Sequence, residues 1–547
     1  MNKSTHSFFS FLFFLLFLFV LLEVVNNFSF FSQAKSTYHP HNMSGALKVL
    51  AYATSYFFIL INLLLFLSMR RGKLFVFFII VISTAFLLDA SYYLNSLSRG
   101  FSAGEFVTAV NEIAQADHAV SSFYGGFIKS IFFLIAILLT TLVYRKLSSR
   151  RFFILPLLLL PLSFLGGNYI LQHTFYRVHN YPAFVKVPLS VFNAYNDGLL
   201  SVPFTDRNAV TVDPTNPAHY KNIIFFVDES VRGDYLSVNG FAKQTTPYLE
   251  TLDKLLTLGS ISSVSNQSAQ TNYILRNGVV MDELPDRTFS TVTKPTIFQY
   301  AKKAGFKTLF LDAQSYDLVN HMSNYDLKYI DFFENLSADK STHNDKFHDR
   351  KMVDRLASLL KDNENNFVYF VKYGSHFQWK TTYPPDQNFF EPSMSRAEGM
   401  SFDIRNKAVN TYMNSIRWGV DSFFEYLLKT VDTKDTLIIY TADHGQNILE
   451  NDLLITHGLA ENPPSNMANV PLLFYTDDIE DIKSKFEKID LDSYSQFQIF
   501  PSLLELMGYQ GKVVEQYGTP FWRPSNDDRQ FYSGSLFGKG FINKYKP

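Results

Sequence analysis

The chain has 547 residues, a formal net charge of -1 at pH 7 and no cysteine. This length accommodates two domains with separate cores, and the balanced charge excludes a strongly basic surface of the kind that binds nucleic acid. The lack of cysteine excludes disulfides, thiolate metal sites and cysteine nucleophiles, so any metal must be held by oxygen and nitrogen ligands. The 56 phenylalanines exceed an ordinary soluble composition and are concentrated toward the start.

Five apolar runs in the first third of the chain each have the length of a membrane-spanning helix. They carry almost no charge and occupy residues 8–31, 49–69, 74–93, 126–144 and 152–171. The first run has a cleaved signal peptide as its alternative, because Ser32-Gln33-Ala34 resembles a cleavage site, but the run is longer than the apolar part of such peptides. We therefore predict a transmembrane domain of five helices over residues 1–171.

Basic residues are distributed unequally among the loops between these runs. The N-terminus and the loops at 70–73 and 145–151 hold 8 Lys and Arg, whereas residues 32–48 and 94–122 hold 3. The positive-inside rule puts the N-terminus and its two companion loops in the cytoplasm. Five crossings then place everything after residue 171 on the outer side.

A change of pattern after the last run separates a connector from a second domain. Five prolines interrupt residues 172–220, which we interpret as a connector lying along the membrane surface. Beyond it, amphipathic stretches typical of helices occur at residues 245–258, 295–304 and 349–361. Short runs that are apolar on both faces, as in buried parallel strands, occur at residues 222–228, 307–312, 366–372, 436–441 and 470–475. Residues 221–547 are thus predicted to form an α/β/α sandwich with a mostly parallel sheet.

Polar residues follow three of these strands, at the ends where parallel sheets bind ligands. The segments are Asp228-Glu229-Ser230, Gly374-Ser375-His376 and Asp443-His444-Gly445, and His457 follows thirteen residues after His444. An Asp-His pair alone is more typical of a helix cap beside a surface histidine. Carboxylates and imidazoles from several strand ends instead favour a site for zinc or manganese.

Several motifs in this order resemble the phosphoethanolamine transferases, membrane-anchored enzymes of the alkaline phosphatase and sulfatase superfamily. The motifs are FFVDES at 225–230, GSH at 374–376, YTADHGQN at 440–447 and THGLA at 456–460. The resemblance implies a sulfatase-like domain that binds one or two zinc ions, with manganese possible. The zinc ligands that it implies are Glu229, Thr271, Asp443 and His444.

The resemblance also implies a reaction and a location. Thr271 is the implied nucleophile, and His376 and His457 bind the substrate phosphate or a second metal. The implied reaction transfers phosphoethanolamine from phosphatidylethanolamine to lipid A or a lipopolysaccharide core sugar through a covalent phospho-threonine. The protein is then expected in the bacterial inner membrane with its catalytic domain in the periplasm. Lipid A, a core sugar and a periplasmic glucan all remain open as the acceptor.

The nucleophile and the head-group contacts have alternatives among nearby residues. Thr271 lies in a loop rich in hydroxyl groups, and Ser268 is the second candidate. Arg276, Gln314 and Lys372 have two interpretations, contact with the donor head group or a solvated surface position.

The same residues bear on three alternative functions, and the chain differs from the resembled family in one respect. Sulfate-ester hydrolysis is disfavoured because the sequence has no Cys-x-Pro-x-Arg or Ser-x-Pro-x-Arg motif. A glycerol-phosphate transferase or polymerase of the lipoteichoic acid synthase type shares the five-span anchor and prefers manganese. A membrane-anchored protein that binds lipid or glycan without catalysis is the alternative from another class. Members of the resembled family usually carry disulfides, and this chain cannot.

Overall fold

A computed structural model describes residues 202–546 of the chain, together with scattered positions up to residue 191. Within 202–546 it leaves out 316–319, 337–345, 396–397, 399–400, 451–452, 454, 487–493, 524–528 and 539. The five predicted membrane spans lie largely outside the described residues. Among the residues that are described, no helix combines the length and the apolar character that crossing a bilayer requires.

The chain divides into two compact units, residues 1–196 and 197–547. In the first unit the described positions at 11–17 are helical, and the ring of Phe19 packs edge-on against Tyr56 with centroids 5.9 Å apart. The second unit contains the sheet and all the predicted site residues.

A seven-stranded sheet of order β2-β7-β6-β1-β5-β3-β4 forms the centre of the second unit. Its strands are β1 Asn222–Asp228, β2 Leu255–Ser262, β3 Lys307–Asp312, β4 Phe332–Glu334, β5 Asn366–Val371, β6 Thr436–Ala442 and β7 Asn469–Thr476. Only β7 runs against the others in this sheet. Every residue of β1, β5 and β6 is buried, as expected for apolar strands covered on both faces. The predicted α/β domain with a mostly parallel sheet is confirmed.

Helices surround this sheet, and a short hairpin follows it. The helices are α1 Ser268–Asn277, α2 Ile297–Lys303, α3 Asn324–Leu327, α4 His348–Leu359, α5 Arg405–Ile416, α6 Ser422–Thr430, α7 Ile479–Phe486, α8 Ile499–Leu506 and α9 Lys512–Glu515. The hairpin pairs β8 Gln530–Gly534 with β9 Gly540–Lys544. The helices predicted at 295–304 and 349–361 correspond to α2 and α4.

The helix predicted at 245–258 is wrong. A 3-10 turn at Leu249–Thr251 is followed directly by β2, which pairs antiparallel with β7. The apolar positions in this stretch have helical spacing, but pairing at the sheet edge satisfies the backbone groups of β2 and overrides that local pattern.

The later part of the predicted connector packs on the second unit. Arg207 is buried and donates from Nε to Oδ1 of Asp326 at 2.8 Å. Thr215 and Asn216 donate their N–H groups to the carbonyl of Gly508 at 2.9 and 3.1 Å. These contacts tie residues 207–216 to the rest of the second unit.

A buried carboxyl group between α5 and α6 is expected to make stability depend on pH. Asp421 is 6% exposed, and its Oδ1 accepts the N–H groups of Tyr248 and Leu249 at 2.8 and 3.1 Å. Burial raises the pKa of Asp421 to about 6, and the backbone donors and Arg417 only partly oppose this. The folded protein therefore prefers the protonated carboxyl of Asp421. The protonated group contributes to stability at about pH 4, and this contribution is lost as the pH rises through 6.

Asp421→Asn keeps the accepting oxygen and removes the titration. The free energy of unfolding of Asp421→Asn minus that of the unmodified protein is the quantity of interest. We expect this difference to increase by up to about 3 kcal/mol from pH 4 to pH 7. Tryptophan fluorescence during urea unfolding measures this, because all three tryptophans lie in residues 197–547. A difference that stays constant across this pH range would contradict the expectation.

Candidate metal centre

Two neighbouring strands end at one edge of the sheet and present three of the four predicted protein ligands. β1 and β6 are parallel, with Asp228 opposite Ala442, so the residues that follow, Glu229 and Asp443, lie side by side. One carboxylate oxygen of each and one ring nitrogen of His444 lie within 4.8 Å of one another. All three side chains are buried. The fold therefore gathers residues that are more than 200 positions apart in sequence.

Ser230 holds the carboxylates of Glu229 and Asp443 in place through hydrogen bonds. Ser230 has a φ of 61°, in the left-handed region that non-glycine residues seldom adopt. Its N–H donates to Oδ1 of Asp443 at 2.9 Å, and its hydroxyl donates to Oε1 of Glu229 at 2.5 Å. This role of Ser230 in holding the carboxylates was not predicted from the sequence. Its position directly after Glu229 is the signal that could have revealed the role.

His444 is oriented so that one nitrogen faces the carboxylates. Its Nδ1 lies 2.7 Å from the carbonyl oxygen of Gly445, which can only accept, so Nδ1 carries the proton. Burial lowers the pKa of His444 and favours the neutral ring. The lone pair is then on Nε2, which lies 3.5 Å from Oε1 of Glu229. This is the tautomer that a metal ligand requires.

The charges in this cluster fit a divalent cation. Oδ2 of Asp443 is buried and has no hydrogen-bond partner among the described residues. Burial, together with the negative charge of Glu229, raises the pKa of Asp443 well above its usual range. Two adjacent buried carboxylates are unfavourable unless a cation compensates them. Two carboxylates and one imidazole are a donor set suited to zinc or manganese.

A serine hydroxyl, and not the predicted threonine, contacts this cluster. Ser268 is the first residue of α1, and its Oγ lies 3.2 Å from Oε2 of Glu229 and 3.2 Å from Nε2 of His444. Thr271 lies one turn further along the helix, and its hydroxyl donates to the carbonyl of Ser265 at 3.3 Å. The helix start therefore places position 268, rather than 271, against the ligands, which corrects the assignment of Thr271.

Both predicted accessory histidines adjoin the cluster. The ring of His457 stacks on that of His444 with centroids 4.3 Å apart. Burial and the nearby His444 lower the pKa of His457 to about 3, so its ring is neutral. His376 follows β5, and its Nδ1 donates to the carbonyl of Phe377 at 2.5 Å. The N–H of the preceding residue, Ser375, donates to the carbonyl of Glu229 at 3.0 Å, which holds this segment at the same sheet edge.

Gln314 contacts a predicted metal ligand directly. It lies two residues beyond β3, and its Nε2 donates to Oε2 of Glu229 at 2.5 Å. Glu229 thus receives hydrogen bonds from Ser230, Ser268 and Gln314. Donors on both oxygens hold the carboxylate in one orientation, as outer-shell partners of metal ligands commonly do.

The two basic residues considered as head-group contacts are buried. Lys372 is 0% exposed and forms an ion pair with Asp228, beneath Glu229. Arg276 is 2% exposed, and its Nη2 donates to the carbonyl of Asn320 at 2.5 Å. Neither side chain occupies the solvated surface position that was the alternative from the sequence.

Comparisons with known proteins relate this site to a family. The sequence profile of the sulfatase family matches residues 221–509. The chain is similar to the Kdo(2)-lipid A phosphoethanolamine 7''-transferase of Salmonella typhimurium, with 24% identity over 261 residues covering 47% of this chain and 44% of that protein. It is also similar to phosphoethanolamine transferase EptA of Escherichia coli K12, with 23% identity over 315 residues covering 54% of this chain and 55% of that protein. The match spans about half the length of these relatives.

A solved structure extends the likeness. The integral membrane protein lipooligosaccharide phosphoethanolamine transferase A from Neisseria meningitidis has a TM-score of 0.67 and 18% identity, covering 91% of this chain and 96% of that one. At this identity the match establishes the fold. The family profile covers more than half of the residues and includes Glu229, Ser268, Asp443 and His444. The chain therefore belongs to the sulfatase family.

Proposed function

We propose that this protein is a metal-dependent transferase that moves phosphoethanolamine from phosphatidylethanolamine to lipid A or a lipopolysaccharide core sugar. One observation carries the proposal: the Ser268 hydroxyl lies 3.2 Å from both Glu229 and His444, within a cluster suited to a divalent cation. The names of the relatives supply the phosphoethanolamine group and the lipid A acceptor.

The residues that hold the metal follow from the geometry. Glu229, Asp443 and His444 are the proposed protein ligands, with the Ser268 oxygen as a fourth donor. A bound zinc ion, or manganese, lowers the pKa of the serine hydroxyl and offsets charge on the phosphoryl oxygens. The accessory histidines His376 and His457 are the proposed ligands of a second ion or the proposed contacts of the substrate phosphate.

The first half of the reaction forms a covalent phosphoserine. Oγ of Ser268 attacks the donor phosphorus as the bond from phosphorus to the diacylglycerol oxygen breaks. Oε2 of Glu229 already accepts a hydrogen bond from this hydroxyl at 3.2 Å and takes its proton. The leaving oxygen takes up a proton, which His376 or His457 relays from the open side of the site. Diacylglycerol departs and phosphoethanolamine stays on Ser268.

The second half returns the enzyme to its starting state. A hydroxyl or phosphate oxygen of the glycolipid attacks the same phosphorus, and the bond to Ser268 Oγ breaks. The proton of the acceptor passes to the serine, and Glu229 releases to solvent the proton that it took in the first half. This release balances the proton given to diacylglycerol, so no other reactant is consumed. The rings of His376 and His457 can hydrogen-bond the phosphoryl oxygens in both halves.

We further propose that five helices in residues 1–171 anchor the protein in the bacterial inner membrane, with the catalytic unit in the periplasm. The likeness to an integral membrane enzyme covers 91% of this chain, whereas residues 197–547 are less than two thirds of it. A lipid donor also requires the site to work beside a bilayer. Attachment to the membrane keeps the local concentration of phosphatidylethanolamine high.

The donor head group is the sharpest test of this function. The full-length protein with zinc is expected to release diacylglycerol from phosphatidylethanolamine and not from phosphatidylglycerol. Chelation of the metal is expected to stop the release, and mass spectrometry of envelope glycolipids should show one added phosphoethanolamine. Asp443→Asn is the matched control, because it removes one ligand charge and keeps the side-chain size.

Other outcomes would favour the alternatives. Release from phosphatidylglycerol alone would identify a glycerol-phosphate transferase of the lipoteichoic acid synthase type. Absence of release from both lipids, with unchanged glycolipids in cells, would leave a membrane-anchored protein that binds lipid or glycan without catalysis.

A further inference from the structure

We propose that Asn272 and Tyr369 are positioning residues that hold the Ser268 nucleophile against the metal ligands. This inference rests on the proposed function and adds two residues that do not touch the substrate. It begins from the start of α1, whose first residue is Ser268.

The start of this helix lacks the usual side-chain cap. The preceding residue, Gln267, forms no capping hydrogen bond with its side chain, which instead donates to the carbonyl of Gly458 at 3.0 Å. Uncapped helix starts leave backbone groups unpaired and fray easily. A nucleophile in such a first turn needs another constraint to remain within 3.2 Å of Glu229 and His444.

Asn272 supplies that constraint from one turn away. Its Nδ2 donates to the carbonyl oxygen of Ser268 at 3.1 Å. Its Oδ1 accepts the hydroxyl of Tyr369 at 3.0 Å. Asn272 and Tyr369 are 1% and 0% exposed, so water does not compete for the bond between their side chains.

Tyr369 ties the helix to the same sheet that carries the ligands. It lies in β5, opposite Phe225 of β1, and the two rings meet edge to face with centroids 5.2 Å apart. β1 ends immediately before Glu229. The nucleophile and one ligand are therefore positioned from two adjacent, fully buried strands.

Removing one hydroxyl group breaks this tie with little change in packing. Tyr369→Phe leaves the ring in place and frees the Asn272 side chain. Because small displacements of a reacting group slow reactions strongly, we expect the kcat of diacylglycerol release to fall about tenfold. The KM for phosphatidylethanolamine and the amount of bound zinc are expected to stay unchanged, since the hydrogen bonds of Asn272 and Tyr369 go to Ser268 and to each other and not to the proposed ligands.

The same helix offers a matched control. Tyr273 is buried, and its hydroxyl lies 3.0 Å from Oγ1 of Thr291, away from the site. Tyr273→Phe also deletes one buried, hydrogen-bonded hydroxyl, so its effect on Tm should be similar while kcat stays near that of the unmodified protein. Asn272→Leu removes both bonds of the tie. Adding Tyr369→Phe to Asn272→Leu is expected to cause no further loss, because the hydroxyl acts only through Asn272.

The outcomes separate this inference from the proposed function. Equal kcat for Tyr369→Phe and Tyr273→Phe would overturn the positioning role, as would independent losses in the double variant. Ser268→Ala is assayed alongside. If Ser268→Ala releases diacylglycerol at the normal rate, the proposed nucleophile is wrong and the positioning role falls with it. If Ser268→Ala is inactive while Tyr369→Phe and Tyr273→Phe have equal kcat, the nucleophile stands and only the positioning role is wrong.

Discussion

Ser268→Ala is expected to slow diacylglycerol release on the order of 10³-fold or more, because it removes the attacking oxygen. Thr271→Val is expected to leave the rate within about threefold, since the Thr271 hydroxyl donates to the Ser265 carbonyl and not to the ligands. Initial rates with saturating phosphatidylethanolamine measure both effects. Ser268→Thr retains a hydroxyl group and should keep part of the activity.

Two further measurements make this comparison decisive. Ser268→Ala is expected to bind nearly as much zinc as the unmodified protein, because Glu229, Asp443 and His444 remain. Mass spectrometry of protein quenched after mixing with donor lipid should find the phosphoethanolamine adduct on Ser268. An adduct on Thr271, with activity retained in Ser268→Ala, would restore the threonine as the nucleophile.

The sequence could predict the ligands because they directly follow strands that sequence patterns reveal. The runs at 222–228 and 436–441 are apolar throughout, and parallel pairing of such strands brings their ends together. Glu229, Asp443 and His444 then lie at one edge whatever the details of the loops. The sheet fixes the positions of its strand ends, so residues that directly follow a strand can be placed from the sequence.

The nucleophile could not be chosen in the same way. Ser268 and Thr271 are three residues apart, so both lie on one side of α1, and only the start of the helix decides which one reaches the ligands. That start has no sequence signal, because Gln267 is not a usual capping residue and makes no side-chain cap. A serine in the first turn lies at the ligands, and a hydroxyl one turn later bonds to Ser265 instead.

Long-range pairing accounts for the remaining differences. Lys372 directly follows an apolar strand, a position at which a lysine side chain could contact a substrate. Its side chain instead pairs with Asp228, which lies 144 positions earlier in the chain, so no local pattern reveals the pair. Likewise, the predicted helix at 245–258 runs into the first half of β2, whose antiparallel partner, β7, comes more than 200 residues later. Local patterns report on neighbours in sequence, and these two features depend on neighbours in space.

The buried ion pair beneath the site is expected to have the largest effect on stability. Lys372 and Asp228 are both 0% exposed, and the lysine Nζ also donates to the carbonyl of Gly419 at 2.5 Å. Lys372→Met removes one partner and leaves the Asp228 carboxylate buried without its cation. We expect the free energy of unfolding to fall by about 3–5 kcal/mol. Urea unfolding followed by tryptophan fluorescence reports this for the second unit.

A surface pair provides the control, and a double variant tests the cause. Lys407 pairs with Glu398 at 2.5 Å, with side chains 39% and 29% exposed, so Lys407→Met should cost no more than about 1 kcal/mol. Asp228→Asn combined with Lys372→Met removes both charges and should recover much of the loss. The Asp228 Oδ1 also accepts the N–H of Glu229 at 2.8 Å, and an asparagine oxygen can do the same. If the double variant is as unstable as Lys372→Met, packing around the lysine stem, and not the unpaired charge, accounts for the loss.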